Sequence, residues 1–137
     1  MIAKYLIQIG GVYHLGMVFL HIMFPKILNW KTELELFSPI NKSVYLILSK
    51  LLMYAYAVVF LVSVRYWSEL ATSEPGNVAL AAIGVFWGIR AYFQIKYFAV
   101  FDQALGGRAK NVAMLLLWVF AAGLYLIPLV MVSRGGL

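Results

Sequence analysis

The sequence predicts an all-α integral membrane protein: an up-down bundle of four spanning helices with a short interfacial helix in its first connection. Three observations carry that expectation. The 137 residues are 64% apolar and only 12% charged, about half the charge fraction of a soluble domain. Four stretches each reach the roughly 20 apolar residues that cross a bilayer. Inside lipid every backbone polar group needs an internal partner, so such stretches are helices rather than open strands. The length fits one domain, 1–137. Cysteine is absent, which removes disulfides, thiolate metal sites and thiol nucleophiles.

The first span is expected at about 5–24. It carries no formal charge and runs into Phe24-Pro25-Lys26 with no small-residue cleavage site, so it reads as a retained helix rather than a signal peptide. In the first connection, 25–39, Ile27, Trp30, Leu34 and Phe37 recur at helical spacing while Lys31, Glu33 and Glu35 fall largely elsewhere, the pattern of a short helix lying in the membrane interface. Ser38-Pro39 reads as an N-cap followed by proline at the first helical position, opening a second span at about 40–66. The second connection holds Glu69, Glu74 and the turn pair Pro75-Gly76,. The third span is expected at about 77–98. The third connection, 99–110, holds Gly106-Gly107, Arg108 and Lys110. The fourth span, 111–133, is uncharged, and Pro128 is expected to kink it near its outer end,. Tyr5, Trp30, Tyr66, Trp67 and Tyr97 lie near span ends, as an aromatic belt requires.

Orientation follows from the cations. Lys4, Arg65 and Arg134 fall on one side; Lys26, Lys31, Lys42, Lys96, Arg108 and Lys110 fall on the other. The positive-inside rule then places connections 25–39 and 99–110 in the cytoplasm and both termini outside. Short connections favour antiparallel neighbours. The net charge of +6 is spread too widely to form a nucleic-acid-binding face.

Four sets of residues stand out inside the spans. Arg90 lies six residues before Lys96, with Gln94 one turn on; a guanidinium at that depth costs at least a few kcal/mol unless something offsets it. Lys50, with Tyr54 on its face, sits at a similar depth in the second span, roughly 10 Å from the cytoplasmic boundary. Two such cations repel unless an anion or water lies between them. The alternative is that both side chains snorkel to the headgroups. His14 and His21 share a face of the first span with Gly10 and Met17. Seven residues separate the histidines by roughly 10.5 Å along the axis, against about 4 Å between the axial nitrogens of one iron, from metal–nitrogen bonds of about 2 Å. One subunit therefore cannot supply both axial haem ligands from this pair, although a His–Met site with Met53 or Met114 is conceivable. The plainer role for each imidazole is a hydrogen bond to Tyr, Ser or a carbonyl. Finally, Ala81, Gly84, Gly88 and Ala91 form a small-residue face in the third span, for packing within the bundle or for a dimer. Arg90, Gln94 and Tyr97 are expected on nearly the opposite face.

Two stretches carry a resemblance. Leu28-Asn29-Trp30, Leu34 and Leu36-Phe37-Ser38-Pro39-Ile40-Asn41-Lys42 form one; Phe86-Trp87-Gly88-Ile89-Arg90-Ala91 with Gln94 forms the other. Together they resemble a group of small uncharacterised bacterial four-helix integral membrane proteins, in which Arg often stands where this chain has Lys42. The resemblance implies the fold and a bacterial cytoplasmic (inner) membrane, and no activity.

There is no phosphate-binding glycine loop, no intramembrane carboxylate pair and no serine in a triad setting,, so a non-enzymatic role is favoured. The first expectation is an accessory or scaffolding subunit that packs against itself or a larger membrane complex. The second is a binder or carrier of an anionic amphiphile, a lipid headgroup or quinone, using Lys50, Arg90, Gln94, His21 and Tyr54. The third is a haem-binding electron-transfer module using His14 or His21. No cofactor is expected beyond lipid or quinone, and membrane lipid is the expected partner.

Overall fold

A computed structural model of the chain describes residues 2–133, apart from the side chain of Ala104. Among the described residues seven α-helices follow one another: α1 (Ile2–Ile27), α2 (Trp30–Glu33), α3 (Pro39–Arg65), α4 (Trp67–Thr72), α5 (Glu74–Lys96), α6 (Phe98–Leu105) and α7 (Arg108–Ser133), with a 3-10 turn at Leu34–Leu36 after α2. No strand occurs among the described residues. Four of these helices, α1, α3, α5 and α7, are long and apolar enough to cross a membrane. Arg134, counted above among the cations, and both chain ends lie outside the described residues.

The helix boundaries show where local chemistry decides. Ser38 caps α3, its Oγ accepting the Asn41 N–H at 3.4 Å, with Pro39 in the first turn. The same device works at Ser73, whose Oγ accepts the Gly76 N–H at 3.0 Å. Pro75-Gly76 is therefore not a turn between helices but the first turn of α5, where proline's missing N–H would have had no helical partner anyway. The second connection is mostly the helix α4, and the third contains α6, which ends at Gly106 in the left-handed conformation with φ 71°. The first connection does hold a helix: Trp30 and Leu34 are buried, whereas Ile27 and Phe37 are exposed. Asn29 starts it with φ 47°, a conformation that asparagine tolerates better than most residues. Pro128 is buried and α7 continues through it to Ser133.

Three long-helix pairs pack together: α5 with α7, α1 with α3, and α1 with α7. Their contacts pair early residues of one helix with late residues of the other. Gly10 approaches Tyr125, Gly11 approaches Ser63, Gly84 approaches Leu126, and Gln94 meets Asn111. One core layer is formed by Met17, Tyr56, Trp87, Ala91, Trp118, Ala121 and Ala122. A second, towards α4, is formed by Ile7, Leu70, Ala71, Leu80, Leu124 and Tyr125. Helix α3 is peripheral, burying only Tyr56 and Ser63. Its backbone stands apart from that of α5, the two meeting through the Tyr56 and Trp87 side chains, and the space between those two helices is where the site lies.

Helix α5 corrects one expectation. Its buried line is Gly76, Leu80, Gly84, Trp87, Ala91 and Gln94, at the i+3 and i+4 steps of a single helix face. Gln94 thus belongs with Gly84 and Ala91 and not opposite them, while Ala81 is half-buried and Gly88 is exposed.

Candidate ligand site: an aromatic cleft holding Arg90

The core layer near the middle of α1 is built from stacked rings. Tyr56 and Trp87 stack at 5.7 Å between centroids with planes 12° apart, and Trp87 and Trp118 at 5.2 Å with planes 8° apart. The ladder spans α3, α5 and α7. Offset stacks of this kind add about 0.5–1.5 kcal/mol each beyond area burial.

His14 fixes the ladder to α1. Its Nδ1–H donates to the Gly10 carbonyl at 2.7 Å, and its Nε2 accepts from Trp87 Nε1–H at 3.1 Å. The Tyr125 hydroxyl lies 3.1 Å from the same Nδ1 and 3.1 Å from Ser63 Oγ. With Nδ1 carrying the proton, Tyr125 accepts there and donates to Ser63. The ring is neutral and its one lone pair is already engaged, so His14 cannot ligate iron while the Trp87 bond persists.

Arg90 occupies the next turn of α5. Its Nη1–H donates to Gln94 Oε1 at 2.8 Å, and its guanidinium carbon lies 4.8 Å from the Trp118 ring centroid and 5.1 Å from that of Phe101. Such cation–π contacts contribute about 0.5–2 kcal/mol. Gln94 is fully buried and satisfied on both ends. Its Oε1 also accepts from Trp118 Nε1–H at 3.4 Å, while its Nε2–H donates to Asn111 Oδ1. Asn111 Nδ2–H in turn donates to the Phe98 carbonyl at 2.8 Å, closing the break between α5 and α6. Among the described residues Gln94 is the only hydrogen-bond acceptor that Arg90 reaches, although a guanidinium carries five N–H donors. All five Asp and Glu residues, at 33, 35, 69, 74 and 102, fall outside the expected spans.

Arg90 lines a cavity of about 390 Å3 between α3 and α5, with Met17 and His21 of α1, Tyr56 of α3, Trp87 of α5 and Trp118 of α7. His21 Nδ1–H donates to the Met17 carbonyl at 2.9 Å, which leaves Nε2 as a lone-pair acceptor with no partner among the described residues.

The structure brings together Arg90, Gln94 and His21 but not Lys50 or Tyr54. Tyr54 is 71% exposed. Lys50 is exposed and lines a second cavity, of about 550 Å3, with Lys31 and Lys42. Equal depth in two helices says nothing about azimuth, and α3 turns Lys50 away from Arg90. Of the small-residue face, Gly84 meets Leu126 side-on, Ala91 joins the core, and Gly88 has nothing within 4 Å of where a Cβ would stand. Trp87, Trp118, Tyr56 and Asn111 were not singled out by spacing. The available signal was Asn111, a polar residue opening an otherwise apolar span. Comparison with protein-family models, with curated proteins and with solved structures returned no significant match.

Proposed function

We propose that this is a multi-pass protein of a bacterial inner membrane, an up-down bundle of α1, α3, α5 and α7 with α2 in the interface, that binds an amphiphile with an acceptor-rich head in the cleft between α3 and α5. Connections 25–39 and 99–110 face the cytoplasm in this reading, on the strength of the cation distribution,. The observation that carries the binding role is Arg90: a half-buried guanidinium on an aromatic-walled cavity, with one amide oxygen for a partner. A cation at membrane depth is a functional-site candidate with its partner to be named, and no carboxylate of the spans can be that partner. A carboxylate, phosphate or quinone carbonyl can take the unused N–H donors, while the edges of Tyr56, Trp87 and Trp118 wall the cavity with apolar surface. The volume falls in the range of small-molecule sites, roughly 300–1,000 Å3.

The test is thermal unfolding of wild type and Arg90→Ala in delipidated detergent, with and without a short-chain benzoquinone or a fatty-acid anion. A ligand at 100 times its Kd stabilises by about 2.7 kcal/mol through linkage, so wild type should gain melting temperature on addition and Arg90→Ala should not. Equal shifts in both proteins would remove the binding role. The accessory-subunit reading would then stand on a different observation: α3 buries only Tyr56 and Ser63 and leaves most of its length for lipid or for a neighbouring helix. Native mass spectrometry from mild detergent reads that stoichiometry directly.

A further inference from the structure

We propose that the second cavity is a separate site for the phosphate head of an anionic phospholipid, held by Lys31, Lys42 and Lys50. It has a volume of about 550 Å3 and lies among α1, α2, the 3-10 turn and α3. Three lysines line it against one acidic residue, Glu35, so its surface carries excess positive charge at neutral pH.

The fold assembles this charge from two directions. Lys42 and Lys50 both come from α3, eight residues or roughly 12 Å apart along the axis, with Leu46 and Met53 beside them on the cavity face. Lys31 comes from α2, which is turned back by the left-handed Asn29 and pinned by the buried Trp30 and Leu34. Ammonium groups gathered this way repel one another in a medium less polar than water, and an anion among them relieves that repulsion. Basic pockets at the cytoplasmic ends of spanning helices are suited to anionic headgroups.

The same lining selects a lipid over free phosphate. Ile22 and Pro25 of α1 form an apolar wall to the cavity, and Ile22 together with Phe19 is exposed on the outer face of α1. A headgroup among the lysines would leave its acyl chains along that face. The site is distinct from the Arg90 cleft: the two cavities share His21, Trp30 and Ser49 as a common wall, but neither Arg90 nor any stacked ring of the ladder lines this one.

The test is native mass spectrometry of the full chain after equilibration in mixed micelles of phosphatidylglycerol and phosphatidylcholine in equal amounts. Wild type should retain phosphatidylglycerol over phosphatidylcholine by at least about tenfold, each lysine contributing about fivefold. The triple variant Lys31→Gln/Lys42→Gln/Lys50→Gln should lose the preference, Lys50→Gln alone should lose part of it, and Arg90→Ala should keep it. All three lysines are exposed or half-exposed, so the triple variant should melt like wild type in lipid-free detergent. Retained preference in the triple variant would overturn the site. Preference lost in Arg90→Ala instead would move the headgroup to the other cleft. Displacement of phosphatidylglycerol by millimolar inorganic phosphate would make free phosphate the ligand and overturn the lipid assignment.

Discussion

Trp87 donates its indole N–H to His14 Nε2 across 3.1 Å, and in doing so ties α5 to α1, two helices that meet through long side chains rather than by close approach of their backbones. The bond crosses the middle of the molecule. Around it His14 meets four aromatic rings edge-on or nearly so: Tyr13, Tyr56, Trp87 and Tyr125, at 5.5–5.8 Å. The imidazole is the hub through which α3, α5 and α7 register on α1.

Breaking that hub on one side should be costlier than removing both sides. Trp87→Phe keeps a stacking ring but strands the buried Nε2 of His14, which costs about 1–3 kcal/mol. The pair His14→Phe/Trp87→Phe strands nothing at this bond. A double-mutant cycle by reversible unfolding in detergent should show coupling of about 0.6–1.7 kcal/mol, the range of hydrogen bonds between membrane helices. Strict additivity would mean the bond contributes nothing.

Two glycines on different helices should respond in opposite directions. A Cβ at Gly10 would stand 2.7 Å from the Tyr125 ring, which is rigid and anchored through Ser63, so Gly10→Ala should lower the melting temperature. At Gly88 a Cβ meets nothing within 4 Å, and Gly88→Ala should stabilise the helix by about 0.5–1 kcal/mol. Destabilisation by Gly88→Ala would mean that another helix, from a second copy or a partner, lies against that face.

Much of the architecture could be read from the chain because it is written in one dimension. The apolar runs that became α1, α3, α5 and α7, the Ser38-Pro39 start and the helix after Ile27 all depend on neighbours within a few residues. The buried line of α1 from Gly10 to His21 followed from helical spacing alone. The site was only half legible. The depth of Arg90 marked it, and Gln94 at i+4 is its actual partner. Lys50 was misplaced relative to it, because spacing gives the depth of a residue and not the helix it faces. The ring ladder was invisible for the same reason: Tyr56, Trp87 and Trp118 are 31 residues apart in each step, and only the packing order of the helices brings them together. The short helices α4 and α6 do not show in the sequence because each starts directly after a spanning helix, at Trp67 and Phe98, and an apolar run that continues across the break hides it.

Asn111 should control the α5–α6 break. Its side chain joins Gln94 to the Phe98 carbonyl, so Asn111→Leu leaves the Gln94 amide short of an acceptor and that carbonyl without its side-chain donor. Hydrogen exchange should accelerate across 98–105 while that of 2–27 stays unchanged. A uniform acceleration along the whole chain would show global destabilisation rather than a local clasp.

The orientation has a direct test, made clean by the absence of native cysteine. Arg108 and Ser68 are both exposed and belong to connections expected on opposite sides. In intact cells an impermeant thiol reagent should label Ser68→Cys and spare Arg108→Cys until the cells are opened. The reverse pattern would invert the topology and place the three-lysine cavity outside.

His21 should read the hydrogen content of whatever Arg90 binds. Because Nδ1–H is committed to the Met17 carbonyl, the ring offers the shared wall of the two cavities a lone pair and no proton. An O–H on the ligand can donate to Nε2; a bare carbonyl cannot. Arg90 makes the opposite demand, supplying donors to any oxygen. On the binding role proposed for the cleft, Arg90→Ala should therefore weaken a short-chain benzoquinone and its hydroquinone alike, whereas His21→Phe should weaken the hydroquinone more. One neutral hydrogen bond is worth about 0.5–1.5 kcal/mol, so the hydroquinone should lose roughly 2- to 13-fold in affinity, with a smaller change for the quinone. The measurement is a titration of each redox form, under air for the quinone and under reductant for the hydroquinone, followed by the rise in melting temperature. Equal losses of both forms in His21→Phe would reduce His21 to a packing residue and leave Arg90 alone to recognise the head.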